Sequence, residues 1–186
     1  PTPVCPKCGE KKKHRIHRKM MWIGKHNPQS TSFCFDSEPH FQYNEGWKHR
    51  EPYLTDKKTK GYTETMSLQG SCFMCTRDKY WEWEVCDEKA GSWGNQGLEV
   101  ACATWLCGGR VLVNHNTWYA HMFRTQGGDF SFPYDQKGKE VQKTKNYIRD
   151  KFWNMQHPKQ IHSVKWLVEK FWPVKGWSQD DLTRLT

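Results

Sequence analysis

The sequence predicts an α/β or α+β domain. Short strand-like runs alternate with segments of helical periodicity, and glycine and proline punctuate the joints between them. Rings must supply the core, because hydrophobic residues make up only 35% of the 186 positions while 11 Trp, 7 Tyr and 9 Phe give an aromatic share of 15%. Each large ring buries about 150–250 Å², and a disordered chain would be poor in such residues.

In chain order, residues 1–19 read as a basic loop or metal knuckle. Met20-Met21-Trp22-Ile23 and Thr31-Ser32-Phe33-Cys34-Phe35 read as short strands. Lys57-Lys58-Thr59-Lys60-Gly61 reads as a flexible loop. Tyr62 to Leu68 and Ser71 to Thr76 read as two strands around Gln69-Gly70, and residues 77–84 as a short helix. Gly91-Ser92-Trp93-Gly94 is a turn. Leu98, Ala101, Cys102 and Trp105 recur at helical spacing, with Glu99 on a different face, and Gly108-Gly109 ends that helix. Arg110 to Val113 is a strand, His115 a turn residue, Trp118 to Phe123 a second strand and Gly127 to Pro133 a loop. Residues 139–155 and 163–172 are amphipathic helices. The first carries Val141, Ile148 and Phe152 on one face, and the second Val164, Leu167, Val168 and Phe171, with Pro173 closing it. Ser178 and Asp181 have the spacing of a capping box for a last helix.

Charge divides the chain unevenly. Residues 1–61 carry 13 Lys/Arg against 6 Asp/Glu, whereas residues 62–186 carry 16 against 14, within a formal total of +9. A basic first third is either a solvated surface or a footprint for an anion, nucleic acid or a phosphate-bearing substrate. No apolar run approaches the roughly 20 residues of a membrane span. No signal peptide opens the sequence, so a cytoplasmic protein with reduced thiols is expected.

Eight cysteines include Cys5-Pro6-Lys7-Cys8-Gly9. Cys-x2-Cys followed by Gly is a tight knuckle that points two thiolates at one zinc ion, and a tetrahedral site needs two more ligands. His14 and His17 are the nearest supply and are favoured. Cys72 and Cys75 are the other candidate pair, although their strand-like run also suits cysteines used as small core hydrophobes.

Residues 91–124 show, in order, Trp93-Gly94, Glu99, Trp105-Leu106-Cys107-Gly108-Gly109, Val111 to Val113 and His121-Met122-Phe123-Arg124. Upstream, Met66 to Met74 lead into Arg77-Asp78. This run, roughly residues 62–125, resembles the second, acceptor-side half of a GT-A glycosyltransferase domain of the family-2 and polypeptide N-acetylgalactosaminyltransferase type. The resemblance implies a partial GT-A-like mixed sheet with flanking helices. It divides the chain into a basic segment (1–61) with its zinc knuckle, a glycosyltransferase-like core (62–135) and C-terminal helices (136–186). It implies a nucleotide-sugar donor whose pyrophosphate charge is neutralised by Mn²⁺ or Mg²⁺, with His121 in the metal site. Glu99 is the candidate catalytic carboxylate, as base or as orienting group, and Trp93, Gln96 and Arg124 are the candidate substrate-binding residues.

Two departures accompany the resemblance. Where the family carries an acidic pair after the Trp-Gly turn, this chain has Gln96 and Gly97. No Asp-x-Asp precedes at the family's distance, and Asp36-Ser37-Glu38 is the sole acidic pair of that shape after a strand-like run. The expectation is therefore a part of a larger enzyme, one product of a split gene, or a relative holding only the acceptor half, completed by a missing donor-binding half or by a homo-oligomer. The acceptor is unassigned, a modified nucleic acid or other polyanion being one candidate. The alternative is a non-enzymatic, zinc-containing nucleic-acid-binding or interaction protein built on Lys11, Lys12, Lys13, Arg15 and Arg18.

Overall fold

Phe33–Phe35 form the first strand, β1, which pairs antiparallel with β2 (Phe41–Tyr43) in the register Phe33 to Tyr43 and Phe35 to Phe41. The structure, a computed structural model, describes residues 9, 30–91, 94–121, 123–124 and 138–185. Asp36 makes the turn between these strands: its Oδ1 accepts from the backbone N–H of Glu38 (3.0 Å) and of His40 (2.9 Å), and its Oδ2 from Gln42 Nε2 (3.3 Å). The acidic pair at Asp36 and Glu38 is thus a turn device in which the Asp oxygens replace strand partners. β1 is buried on both faces because Phe33 packs on Phe41 and Tyr43 while Phe35 meets Trp153 and Trp177.

Asn44 caps a 3-10 turn, Glu45–His49, that buries Trp47 and leads into α1, Glu51–Lys60. The loop expected at 57–61 is instead the last turn of this helix. Its lysines lie where the helix dipole favours cations, Lys60 pairs with Asp56 at 2.7 Å, and Gly61 takes the left-handed cap at φ 72°.

β3 (Tyr62–Glu64) pairs antiparallel with β4 (Leu112–Asn114). The strand expected to run on to Leu68 stops at Glu64, because the next residues are shared between two partners: Thr65 N–H donates to Val111 O (3.1 Å) and Ser67 N–H to Phe33 O (3.0 Å). Ser71 to Thr76 is not a strand but an exposed, irregular connection carrying Cys72 and Cys75 at the surface, which corrects the strand-like reading of both cysteines. Trp118 to His121 also form no strand. β4 has nothing to pair with beyond Tyr62, where α1 has just ended, and the His115 N–H to Gly61 O bond (2.8 Å) closes the ladder.

α2 (Arg77–Glu82) is capped by Thr76, and a 3-10 turn at Glu88–Ala90 is capped by Asp87. α3 (Gln96–Leu106) is the central helix and ends at Gly108, φ 88°. α4 (Gly138–Ile148) continues through five π-helical residues, Arg149–Trp153. α5 (Val164–Phe171) buries Val164, Leu167, Val168 and Phe171, the face its periodicity predicted. α6 (Gln179–Arg184) starts with the predicted capping box of Ser178 and Asp181. The Arg50 guanidinium caps the end of α5, donating to Phe171 O (2.7 Å), Trp172 O (2.6 Å) and Pro173 O (2.7 Å).

The molecule therefore mixes helices with two small antiparallel ladders. No parallel or mixed sheet occurs among the described residues, so the α+β half of the expected class is the one observed. No helix among these residues is long and apolar enough to cross a membrane. The knuckle cysteines, the basic run 11–18, the strand at 20–23 and the loop at 127–133 lie outside the described residues. Phe171 packs on Trp47 at 4.6 Å and Trp105 at 5.6 Å between ring centroids, and is fully buried. Phe171→Ala is expected to cost about 3–5 kcal/mol, read as a lower urea midpoint at unchanged slope.

Candidate functional site

The start of α3 is fixed by a close approach that only glycine permits. A Cβ at Gly97 would lie 2.0 Å from Leu68 O, and one at Gly70 would lie 3.0 Å from Gly97 N. The loop at 68–71 is therefore laid directly across the first turn of the helix. Beside it, Gln96 is exposed and donates from Nε2 to Cys86 Sγ (3.2 Å). On the far side of the loop, the Tyr119 hydroxyl meets Ser71 Oγ at 2.7 Å and Gln69 Oε1 at 3.4 Å. One short loop thus joins the N-terminus of α3 to the chain leaving β4.

His121 lies two residues beyond Tyr119, exposed, with its ring edge-on to Phe123 at 4.5 Å. Arg124 is half-buried. Trp93, Cys5, Cys8, His14 and His17 fall outside the described residues. No group of three or more His, Cys, Asp or Glu side chains able to hold a metal occurs among the described residues. Mg²⁺ demands near-octahedral oxygen ligands, and a lone imidazole at His121 does not make such a site. The described residues therefore do not by themselves fit a donor-site cation.

Glu99, on a different face of α3 from Leu98, Ala101, Cys102 and Trp105, is also buried, at 2% exposed. Its Oε1 accepts from Asp87 N–H at 3.0 Å. Burial pushes its carboxyl up to about 7, against the hydrogen bond from Asp87 N–H. Under this helix lies a charged cluster that the sequence reading did not single out. Lys151, 8% exposed, donates to Glu84 (2.9 Å) and Asp87 (2.8 Å), and the Tyr147 hydroxyl donates to the same Asp87 carboxylate. Burial opposes the Asp87 charge, but the hydrogen bonds from Lys151, Tyr147 and the Lys89 N–H outweigh it and hold the group at about 2. Burial likewise works against the Lys151 ammonium and is overcome by its two carboxylates, so its pKa is raised. His157 accepts from Lys159 N–H on Nδ1 (3.1 Å), which leaves Nε2 to donate to Trp83 O (2.9 Å), and burial lowers its pKa toward the neutral form. One signal in the sequence pointed here: Lys151 falls on the apolar face of its helix, three residues after Ile148 and next to Phe152.

About half of the chain is similar to known glycosyltransferases. N-acetylgalactosaminyltransferase 7 of Rattus norvegicus is 29% identical over 100 residues, 54% of this chain and 15% of that protein. The Homo sapiens N-acetylgalactosaminyltransferase 7 is 27% identical over 100 residues, again 54% of this chain and 15% of the relative. Polypeptide N-acetylgalactosaminyltransferase 5 of Mus musculus is 26% identical over 96 residues, 50% of this chain and 10% of that protein. The shared stretch thus spans a small part of each relative's length. No family model matches the chain, and no solved structure matches it.

Two outcomes follow from the buried cluster. Lys151→Met leaves the Asp87 carboxylate without its cation and is expected to cost about 3–5 kcal/mol, measured by urea unfolding at neutral pH. Glu99 has a folded pKa above its ordinary 4.5, so between about 4.5 and 7 the folded state holds a proton that the unfolded state has lost, and stability falls as pH rises. Glu99→Gln removes that fall: its stability relative to the parent is expected to grow across this window by up to roughly 3 kcal/mol. Asp87 acts with the opposite sign, its contribution being present above about 4 and lost as pH falls toward 2.

Proposed function

We propose that the chain is a glycosyltransferase, or the acceptor-side part of one, that moves a sugar from a nucleotide-sugar donor to a hydroxyl group. The observation that carries this reading is the meeting of three segments at one surface: the 69–71 loop, Gln96 at the start of α3, and Tyr119 on the chain leading to His121 and Arg124. All three lie within residues 62–125, the run that carries the sequence resemblance, although Gln96 itself stands where the family has an acidic residue. The similar proteins are N-acetylgalactosaminyltransferases by name, which supports the same class of reaction.

The transfer breaks the bond between the sugar's anomeric carbon and the phosphate oxygen and forms one to the acceptor oxygen, whose proton leaves to a base. In this reading the Arg124 guanidinium faces the developing diphosphate charge. Gln96 and Trp93 contact the donor. Glu99 acts from beneath as a positioning residue: its carboxyl holds the backbone of Asp87, whose neighbour Cys86 receives the Gln96 amide. A Mn²⁺ or Mg²⁺ ion that takes His121 as one ligand and the rest from outside the described residues is a separate proposal. A zinc ion on Cys5, Cys8, His14 and His17 is another. Metal analysis of the purified protein and of Cys5→Ser answers for zinc.

A panel of nucleotide-sugars, each with and without a divalent cation, tests the central reading by thermal shift and by release of nucleotide diphosphate. A donor at a hundred times its dissociation constant is expected to stabilise the protein by about 2.7 kcal/mol. Gln96→Ala and Tyr119→Phe are expected to reduce that shift while leaving the donor-free melting temperature near the parent's. A panel in which no donor shifts the melt and none is turned over removes the reading.

A further inference from the structure

We infer that a groove between the Glu88–Ala90 turn and α4 holds the phosphodiester backbone of a nucleic acid. The inference goes beyond the sugar-transfer reading and does not depend on it.

The groove has a volume of about 510 Å³, and Lys89, Lys139 and Lys143 stand on its walls, Lys89 from the turn and the other two from the helix. All three are exposed, and none makes an ion pair among the described residues. Lys139 and Lys143 are four residues apart, so they share one helix face with a rise of about 6 Å between them. Like charges at that spacing weaken a helix.

The neighbouring acids relieve this charge only in part. Glu84 and Asp87 are held by Lys151. Tyr147, which lines the groove, gives its hydroxyl to Asp87 as well. Asp150 is the one carboxylate in the groove wall. The cluster therefore has a second consequence besides holding α3: it fixes Tyr147 in the groove wall, where three lysines stand against Asp150.

The chemistry of the wall selects the partner. Apart from the Tyr147 ring, every side chain lining the groove is charged or an amide, with Gln142 and Asn146 hydrogen-bonded to each other at 2.9 Å. Protein interfaces are anchored by clusters of aromatic and apolar side chains seated in pockets, and this groove offers only the Tyr147 ring. Ammonium groups on flexible stems with amide donors between them suit phosphate oxygens, and phosphate contacts supply most of the sequence-independent affinity for nucleic acids.

The test uses the full chain and a short fluorescein-labelled single-stranded oligonucleotide, followed by anisotropy between about 50 and 200 mM salt. The parent is expected to bind with affinity that falls steeply with salt. The triple variant Lys89→Gln, Lys139→Gln, Lys143→Gln is expected to bind roughly tenfold or more weakly, with the slope of log K against log salt shallower by about 2, since each single-strand phosphate contact contributes about 0.7. The single variant Lys143→Glu guards against a folding defect in the triple, and an unchanged thermal melt certifies both. A control triple at the exposed residues Lys57, Lys58 and Lys159, each to Gln, is expected to lose clearly less. Equal losses in the two triples would mean diffuse charge and overturn the inference. So would parental binding by the groove variant, or displacement of the oligonucleotide by polyglutamate at equal charge, which would mark a surface for acidic proteins. The donor-induced thermal shift is measured on the same variants, and its presence or absence bears only on the sugar-transfer reading.

Discussion

The fold depends on the three residues from Thr65 to Ser67, where both ladders and the central helix meet. Thr65 N–H donates to Val111 O beside β4, its hydroxyl accepts from Phe33 N–H (2.8 Å) and donates to Ser67 O (2.9 Å), and Ser67 N–H reaches Phe33 O in β1. Thr65 O accepts from the Trp105 indole at 3.0 Å, which ties α3 to the same seam. Strands of three residues do not hold together as isolated hairpins. Here they persist because the seam gives each ladder a third partner and places Trp105 and Phe171 against it.

From this seam the chain runs on to Leu68 and Gly70, and so into contact with Gly97. The candidate site is therefore an extension of the core and not an independent loop cluster. The backbone of 68–70 is held at one end by Ser67 and pressed against α3 at the other, which leaves Gln69 and Ser71 in fixed reach of Tyr119. The carboxylate of Glu99 and the Lys151 cluster support the opposite end of the same helix turn. One buried lysine balanced by two carboxylates and a phenol holds the 84–87 loop, α4 and the start of α3 together.

The similarity to N-acetylgalactosaminyltransferases covers about half of this chain and a small share of those proteins. Residues from Gly138 onward contribute the covering helices, with Phe152, Leu167 and Phe171 in one core with Trp105. They also contribute Tyr147 and Lys151 to the buried cluster, both from one continuous helical run.

Periodicity and punctuation by themselves determined α3, α5 and the face α5 buries, the glycine stop at Gly108 and the capping box at Ser178. These are settled by neighbours within one or two helical turns, and local sequence records them. It also marked Gln96, Tyr119's segment and His121 through their order along the chain. It did not show that Lys57 to Lys60 finish a helix, because the charge run that suggests a loop also suits a helix C-terminus. It could not show that Tyr62 to Leu68 changes partners at Thr65, or that Trp118 onward finds no strand to join, since pairing depends on what lies alongside. Nor could it bury Glu99, whose environment is set by Asp87 and Lys151, 12 and 52 positions away along the sequence. Only the tertiary structure decided which charges are inside and neutralised and which remain at the surface, because desolvation and ion pairing depend on distance in space.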